Sequence, residues 1–264
     1  MTDEGKDEGR YSSFAALLWQ RKRDAWEDEF VTRDNSPGDS GPPIEVEAKF
    51  YGSERAFRLM ENRPTIADWR VADRRQSSLR DTYWDTPDRR LLQAGRSLRV
   101  RETNGGADAE LTLKEPVERA NRASAARTEW TVATPPGAGP IDWEKHEAAA
   151  PIVERLREIG VLDAGAGSQD GLVADLVLLN PRRDLVLRRH DDEAVLSLDE
   201  VTIEGHPYRR RYVEIELRHG TREMLDSLAH TIAERYNLKP SRQGKVHAAR
   251  AWLAHRAVAR DSVD

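Results

Sequence analysis

The chain has 264 residues, room for one large domain or two small ones. Its 42 basic and 47 acidic residues leave a net charge of −5, without the basic excess that a generic nucleic-acid binder carries. Cysteine is absent, which excludes disulfides, zinc ribbons and thiol nucleophiles.

In chain order, residues 1–43 stand apart. A helical patch from Ser13 to Val31 carries Phe14, Leu17, Leu18, Trp26 and Phe30, and TRDNSPGDSGPP after it has linker composition. A partly helical extension followed by a flexible linker is expected there. The opening MTDEGKDEGRYSS has no apolar leader core, and no stretch approaches the roughly 20 apolar residues of a membrane helix. A cytoplasmic protein with no membrane or nucleic-acid partner is expected; oligomeric state is not legible.

From Ile44 the pattern turns to short segments with period-2 alternation, the mark of half-buried strands. They are IEVEAKF (44–50), SSLRDTYWDT (77–86), SLRVRET (97–103), AELTLKEP (109–116), SAARTEWTVA (124–133), RDLVLRRHD (183–191), EAVLSLDEVTI (193–203) and RRYVEIELRHG (210–220). Turn signals fall between them at Asn104-Gly105-Gly106, His190-Asp191-Asp192 and Gly205-His206-Pro207. Helical patterns cover Ser53–Asn62, Pro151–Ile159, Thr221–Tyr236 and Ser241–Val258, with Ser241 the expected N-cap of the last. The predicted class is α+β, an eight-stranded antiparallel closed β-barrel over residues 44–258 with the helices packed outside. Closure would remove every exposed edge.

Side chains two apart on a strand share a face. Glu45, Glu47 and Lys49 therefore line one face of the first strand, and Glu214 and Glu216 one face of the last. Arg99 and Arg101 share a face, Lys114 lies opposite Leu111 and Leu113, and Arg127 joins Glu129. One such strand reads as an ordinary solvated face. Like charges repeated two apart on several strands point instead to ligands of opposite sign, cations for the glutamates and phosphates for the basic groups. Tyr83 and Asp85 are read as structural, and Trp84 as packing outside the barrel.

In this order the segments resemble the CYTH proteins, the triphosphate tunnel metalloenzymes. IEVEAKF is similar to the family's E-x-E-x-K strand, and YWDTPDRRLLQAGRSLRVRE to its long Tyr-x-Asp-Thr-Pro-Asp segment ending in Arg-x-Arg. LTLKEP, RTEW, LSLDE with YVEIELRHG, and LKPSRQGKVHAA resemble its remaining elements. The resemblance runs from about Ile44 to Ala257 and implies a tunnel that binds a triphosphate with Mg²⁺ or Mn²⁺. It implies Glu45, Glu47, Glu129, Glu214 and Glu216 as metal ligands, with Glu47 or Glu214 accepting a proton from water. Lys49, Arg99, Arg101, Lys114, Arg127, Arg183 and Lys245 would grip phosphate oxygens, with Arg182 the neighbouring alternative to Arg183. Asp199 is a further acidic candidate. The implied activity is metal-dependent hydrolysis, first of inorganic triphosphate. Thiamine or nucleoside triphosphatase and class IV adenylyl cyclase activity are alternatives within the family, and a non-catalytic polyphosphate- or nucleotide-binding module is the alternative outside enzymes. Zincin, P-loop, dinucleotide and G-x-S-x-G patterns are absent.

Overall fold

A computed structural model describes residues 47–106, 108–116, 127–162, 171–241 and 243–261. The expected N-terminal extension, and Glu45 with it, lie outside these residues.

Among the described residues, ten strands form one antiparallel sheet: β1 (Glu47–Tyr51), β2 (Thr65–Ile66), β3 (Trp69–Asp85), β4 (Ser97–Thr103), β5 (Asp108–Pro116), β6 (Arg127–Ala133), β7 (Val173–Arg189), β8 (Asp192–Ile203), β9 (Arg209–His219) and β10 (Lys239–Pro240). Their order is β10-β1-β9-β8-β7-β3-β4-β5-β6, with β2 paired to β3. The helices are α1 (Glu54–Glu61), α2 (Arg90–Gln93), α3 (Pro140–Lys145), α4 (Ala150–Glu158), α5 (Arg222–Tyr236) and α6 (Lys245–Asp261). None is long and apolar enough to cross a membrane.

The α+β class is as expected, but the closed eight-stranded barrel is not. Among the described residues the sheet is open, and no ladder joins β6 to β1. A physical reason is visible at β1, where β10 occupies the outer edge through Phe50↔Pro240 and Tyr51↔Lys239. The two strands beyond the predicted eight, β2 and β10, are two residues each, too short to show alternation. The turns fall where the sequence marks them: Asn104, Gly105 and Gly106 all take positive φ between β4 and β5.

Two apolar layers cover one face of the sheet. Phe57 and Met60 of α1 pack with Leu225, Leu228 and Ile232 of α5 over Phe50, Leu196, Val213 and Ile215. Leu91 of α2, Trp143 of α3 and Ile152 and Leu156 of α4 cover Leu98, Val100, Leu111 and Leu113. Trp84 joins this second layer edge-on to Trp143 at 5.5 Å, outside the charged face as expected. Each buried Leu, Ile, Val, Phe or Met in these layers contributes about 1.5–3 kcal/mol of transfer free energy. Local signals fix the helix starts: Ser53 caps α1 by accepting from the Ala56 N–H at 3.1 Å, and Pro140 opens α3 at its first position.

Among the described residues, an apolar cluster caps one end of the opposite face. There Val246 and Ala249 of α6 pack on Tyr83, Leu176, Leu178, Val201 and Tyr212. The helix starts at Lys245, four residues later than predicted, so Ser241 is not its N-cap. The Ser241 N–H instead donates to the Lys49 carbonyl at 2.9 Å, extending the β10 edge. This strip places Lys245 at the border between the apolar plug and the rest of the face.

Candidate functional site

Register alone assembles the charged face. Glu47 stands opposite Glu216 and Lys49 opposite Glu214 between β1 and β9. Glu214 faces Ser197, and Tyr212 faces Asp199 on β8; Asp199 faces Arg182 on β7. Across β3, Asp81 faces Arg101 and Tyr83 faces Arg99 on β4. Arg99 then faces Thr112 and Ser97 faces Lys114 on β5, while Thr112 faces Thr131 and Lys114 faces Glu129 on β6. The sheet alternation puts all these side chains on one side.

They form two linked networks. In the first, the Lys49 ammonium donates to Glu47 at 2.7 Å and lies 3.1 Å from Glu214. The other Glu214 oxygen takes Lys245 at 2.7 Å and Arg182 at 3.1 Å. Lys245 also donates to Asp199, which accepts both arms of the Arg182 guanidinium at 2.7 and 2.9 Å and the Asn180 amide at 2.8 Å. In the second, Arg101 forks onto Asp81 at 2.7 and 2.8 Å, and Arg99 approaches the same carboxylate at 3.7 Å. Arg99 reaches Thr112 at 3.4 Å, Thr112 contacts Thr131 at 3.2 Å, Thr131 donates to Glu129 at 3.2 Å, and Lys114 pairs with Glu129 at 2.7 Å. The networks adjoin where β3, which carries Asp81, pairs with β7, which carries Arg182.

Burial and opposite charges compete to set the protonation states. Asp199 is fully buried and Asp81 nearly so. Burial disfavours each carboxylate's charge, but Lys245 and Arg182 hold Asp199 below the usual range, and Arg101 and Arg99 do the same for Asp81. Glu214 is likewise penalised by burial and is held well below its ordinary value by Lys245, Lys49 and Arg182. The Lys49 ammonium overcomes its own burial through Glu214 and Glu47, and its pKa is raised. Asp81, Asp199 and Glu214 are therefore carboxylates near neutral pH, and Lys49 an ammonium.

Most residues expected at the site are together: Glu47, Lys49, Arg99, Arg101, Lys114, Glu129, Asp199, Glu214 and Lys245 all belong to the linked networks. Glu216 shares the face and pairs with Arg218 at 2.9 Å. Arg127 opens β6 in register with Pro116. Arg183 is corrected: it faces Leu198 and Gln76, on the helix-covered side, and pairs with Glu61 at 3.3 Å. Arg182 takes the place expected for it. The sequence reading started the strand at Arg183, whereas β7 begins ten residues earlier at Val173.

Asp81 and Asn180 were missed. Asp81 sits two residues before Tyr83 and so shares its face, a signal present in RDTYWD. Asp85 is structural, as expected: its carboxylate accepts the N–H groups of Thr86, Leu91 and Leu92 and so shapes the turn into α2.

A hard divalent cation suits this donor chemistry, because carboxylates are its preferred ligands and Glu47 and Glu216 oppose each other as like charges across one ladder. Among the described residues, no three acidic or histidine side chains already converge as a metal-ligating group. Glu47 and Glu214 instead hold lysines.

Comparison with known proteins agrees with this architecture. Residues 43–248 match the CYTH domain. No protein of curated function matches the sequence. A candidate adenylate cyclase from Bacillus halodurans superposes with a TM-score of 0.54 at 19% identity, over 78% of this chain and 96% of its own. A candidate adenylyl cyclase from Hippeastrum, described as having a dominant triphosphatase activity, superposes with a TM-score of 0.56 at 19% identity, over 79% and 95%. At such identities the likeness speaks for the fold. The domain match itself runs from just ahead of β1 into the first turn of α6 and takes in every strand of the charged face, and on that ground the chain belongs to the CYTH domain family.

Proposed function

We propose that this chain is a cytoplasmic, divalent-metal-dependent hydrolase of triphosphate compounds, with inorganic triphosphate its first substrate. One observation carries the reading: basic groups from β1, β4, β5, β7 and α6 share a face with carboxylates of β1, β6 and β9. A triphosphate is a run of tetrahedral anions, and phosphoryl transfer depends mainly on positioning and on stabilising spread negative charge. Arg99, Arg101 and Arg182 offer planar forks to phosphate oxygens, and Lys49, Lys114 and Lys245 point charges. Arg127 is assigned to the same grip.

Glu45, Glu47, Glu214 and Glu216, with Glu129 in support, are the residues that would hold Mg²⁺ or Mn²⁺. A bound divalent ion neutralises phosphate charge and polarises water. Of the two carboxylates expected to accept a proton, Glu47 is assigned that role, since it pairs with Lys49 at 2.7 Å whereas Glu214 meets Lys49, Lys245 and Arg182. Glu214, gripped by three cations and held well below its ordinary value, is a weaker base. Asp199 and Asp81 act as positioning residues, fixing Arg182 with Lys245 and Arg101 with Arg99.

The cyclase reading shares the same grip and metal, and is named for the relative from Bacillus halodurans. Phosphate, diphosphate and cyclic AMP are measured with inorganic triphosphate, thiamine triphosphate and ATP, each with Mg²⁺ or Mn²⁺. Metal-dependent phosphate release, fastest from inorganic triphosphate, is expected. Cyclic AMP with diphosphate as the main products would establish the cyclase, and binding without turnover the non-catalytic module.

A further inference from the structure

Glu214 occupies an unusual position: one carboxylate engages three of the basic groups assigned to phosphate. It meets Lys49 through one oxygen and Lys245 and Arg182 through the other. Those three side chains come from β1, α6 and β7. Asp199 engages Lys245 and Arg182 from the buried side of the same groups, with no exposure of its own. Glu214 keeps about a tenth of its side chain exposed. The geometry thus sets a fixed anion, Asp199, behind the cations and a second anion, Glu214, within the ion-pair network that a phosphate would enter.

We infer that Glu214 is an internal competitor for the phosphate grip, so that metal and triphosphate binding are coupled through it. This rests on the proposed triphosphate site and goes beyond it. While Glu214 holds Lys49, Lys245 and Arg182, an incoming phosphate must displace a carboxylate already in place. With Glu214 drawn to a divalent cation, Lys49, Lys245 and Arg182 would each lose one of their two carboxylate partners and gain capacity for phosphate, and a phosphate on those groups would in turn free Glu214 for the cation. Linkage requires the effect to be reciprocal. Without Glu214 each cation still has a carboxylate partner, Glu47 for Lys49 and Asp199 for Lys245 and Arg182, so the variant retains the means to fold.

The test is calorimetric titration of inorganic triphosphate in EDTA into wild type, Glu214→Gln and Glu216→Gln, then with Mg²⁺ throughout. Glu214→Gln is expected to bind metal-free triphosphate about tenfold more tightly than wild type, a gain of roughly 1.4 kcal/mol. It is also expected to show a smaller gain from Mg²⁺ than wild type. Complex formation between Mg²⁺ and triphosphate in solution is common to all titrations and cancels in the comparison. Glu216→Gln removes an equal charge from the face and controls for general repulsion. The inference is overturned if Glu214→Gln binds metal-free triphosphate no better than wild type, or if Glu216→Gln gains as much. Should Glu214→Gln fail to show a cooperative melt, Glu214→Asp takes its place; its carboxylate is one methylene shorter, and the same direction of change is required. If wild type binds no triphosphate even with Mg²⁺, the proposed function fails instead.

Discussion

Replacing Asp199 by Asn tests whether the charged face is a desolvated network or a wet surface. The two side chains have nearly the same size, so the change removes charge and leaves packing. Asp199 is fully buried and accepts from Arg182, Lys245 and Asn180. An Asn at this position would present an amide donor to Arg182 and Lys245, which only donate. Breaking a buried ion pair by removing one partner costs about 3–5 kcal/mol. Glu214 still touches Arg182 and Lys245, which places the loss near the lower end, about 3 kcal/mol. At about 2–4 °C per kcal/mol for a domain of this size, the melting temperature should fall by roughly 6–12 °C. Differential scanning calorimetry and urea unfolding read the same quantity. A fall of less than about 2 °C would mean the pairs are worth no more than exposed ones, which contribute ~0–1 kcal/mol, and would refute the desolvated network.

Arg182→Ala should raise the KM for triphosphate by an order of magnitude or more, about the effect of removing a bidentate charged contact, whereas Arg183→Ala loses only its half-exposed Glu61 pair and should cost under ~1 kcal/mol with kinetics unchanged; steady-state kinetics and melting of both variants decide which arginine belongs to the face. Trp143, the fully buried anchor of α3, should cost about 3–5 kcal/mol when replaced by Ala, read in urea, and leave KM unaltered for the folded fraction. The site also sets a pH window. Asp81, Asp199 and Glu214 lie below their ordinary values of 3.8, 3.8 and 4.5 when folded, so their stabilisation is complete above about pH 5 and is lost as pH falls through the depressed folded values. Lys49 is raised above 10.5, so its share is complete below that value and is lost as pH rises past the folded one. Melting temperature should therefore hold steady from about pH 5 to 9 and drop below about pH 4; greater stability at pH 3 than at pH 6 would contradict the assignment.

Strand faces were the most legible part of this protein. Glu47 with Lys49, Arg99 with Arg101 and Glu214 with Glu216 share faces in IEVEAKF, SLRVRE and YVEIELR by spacing alone, and the structure orders them as that spacing requires. What spacing could not supply was where a strand begins. WRVADRRQ carries too many exposed charges to read as a strand, yet it pairs with β7 from Arg70↔Arg188 to Gln76↔Arg183. VADLVLLN is a near-continuous apolar run without alternation, and missing it moved the inferred arginine onto the wrong face. Edges were illegible for a different reason. The β10 ladder is two residues long and held by backbone bonds, including Ser241 to Lys49, which leave no side-chain pattern. The part of Asp199 was visible only as an acidic residue; that it braces Arg182 and Lys245 depends on contacts 17 and 46 residues away.

On the proposed function, side chains on distant strands of one sheet serve a single ligand. Titration calorimetry of inorganic triphosphate with Mg²⁺ against Lys49→Ala on β1, Arg101→Ala on β4 and Lys114→Ala on β5 measures this directly. Each single change is expected to weaken Kd by at least about tenfold, with one triphosphate bound per chain in the wild type. Loss of binding in Lys49→Ala together with wild-type affinity in both Arg101→Ala and Lys114→Ala would show two unconnected charge clusters.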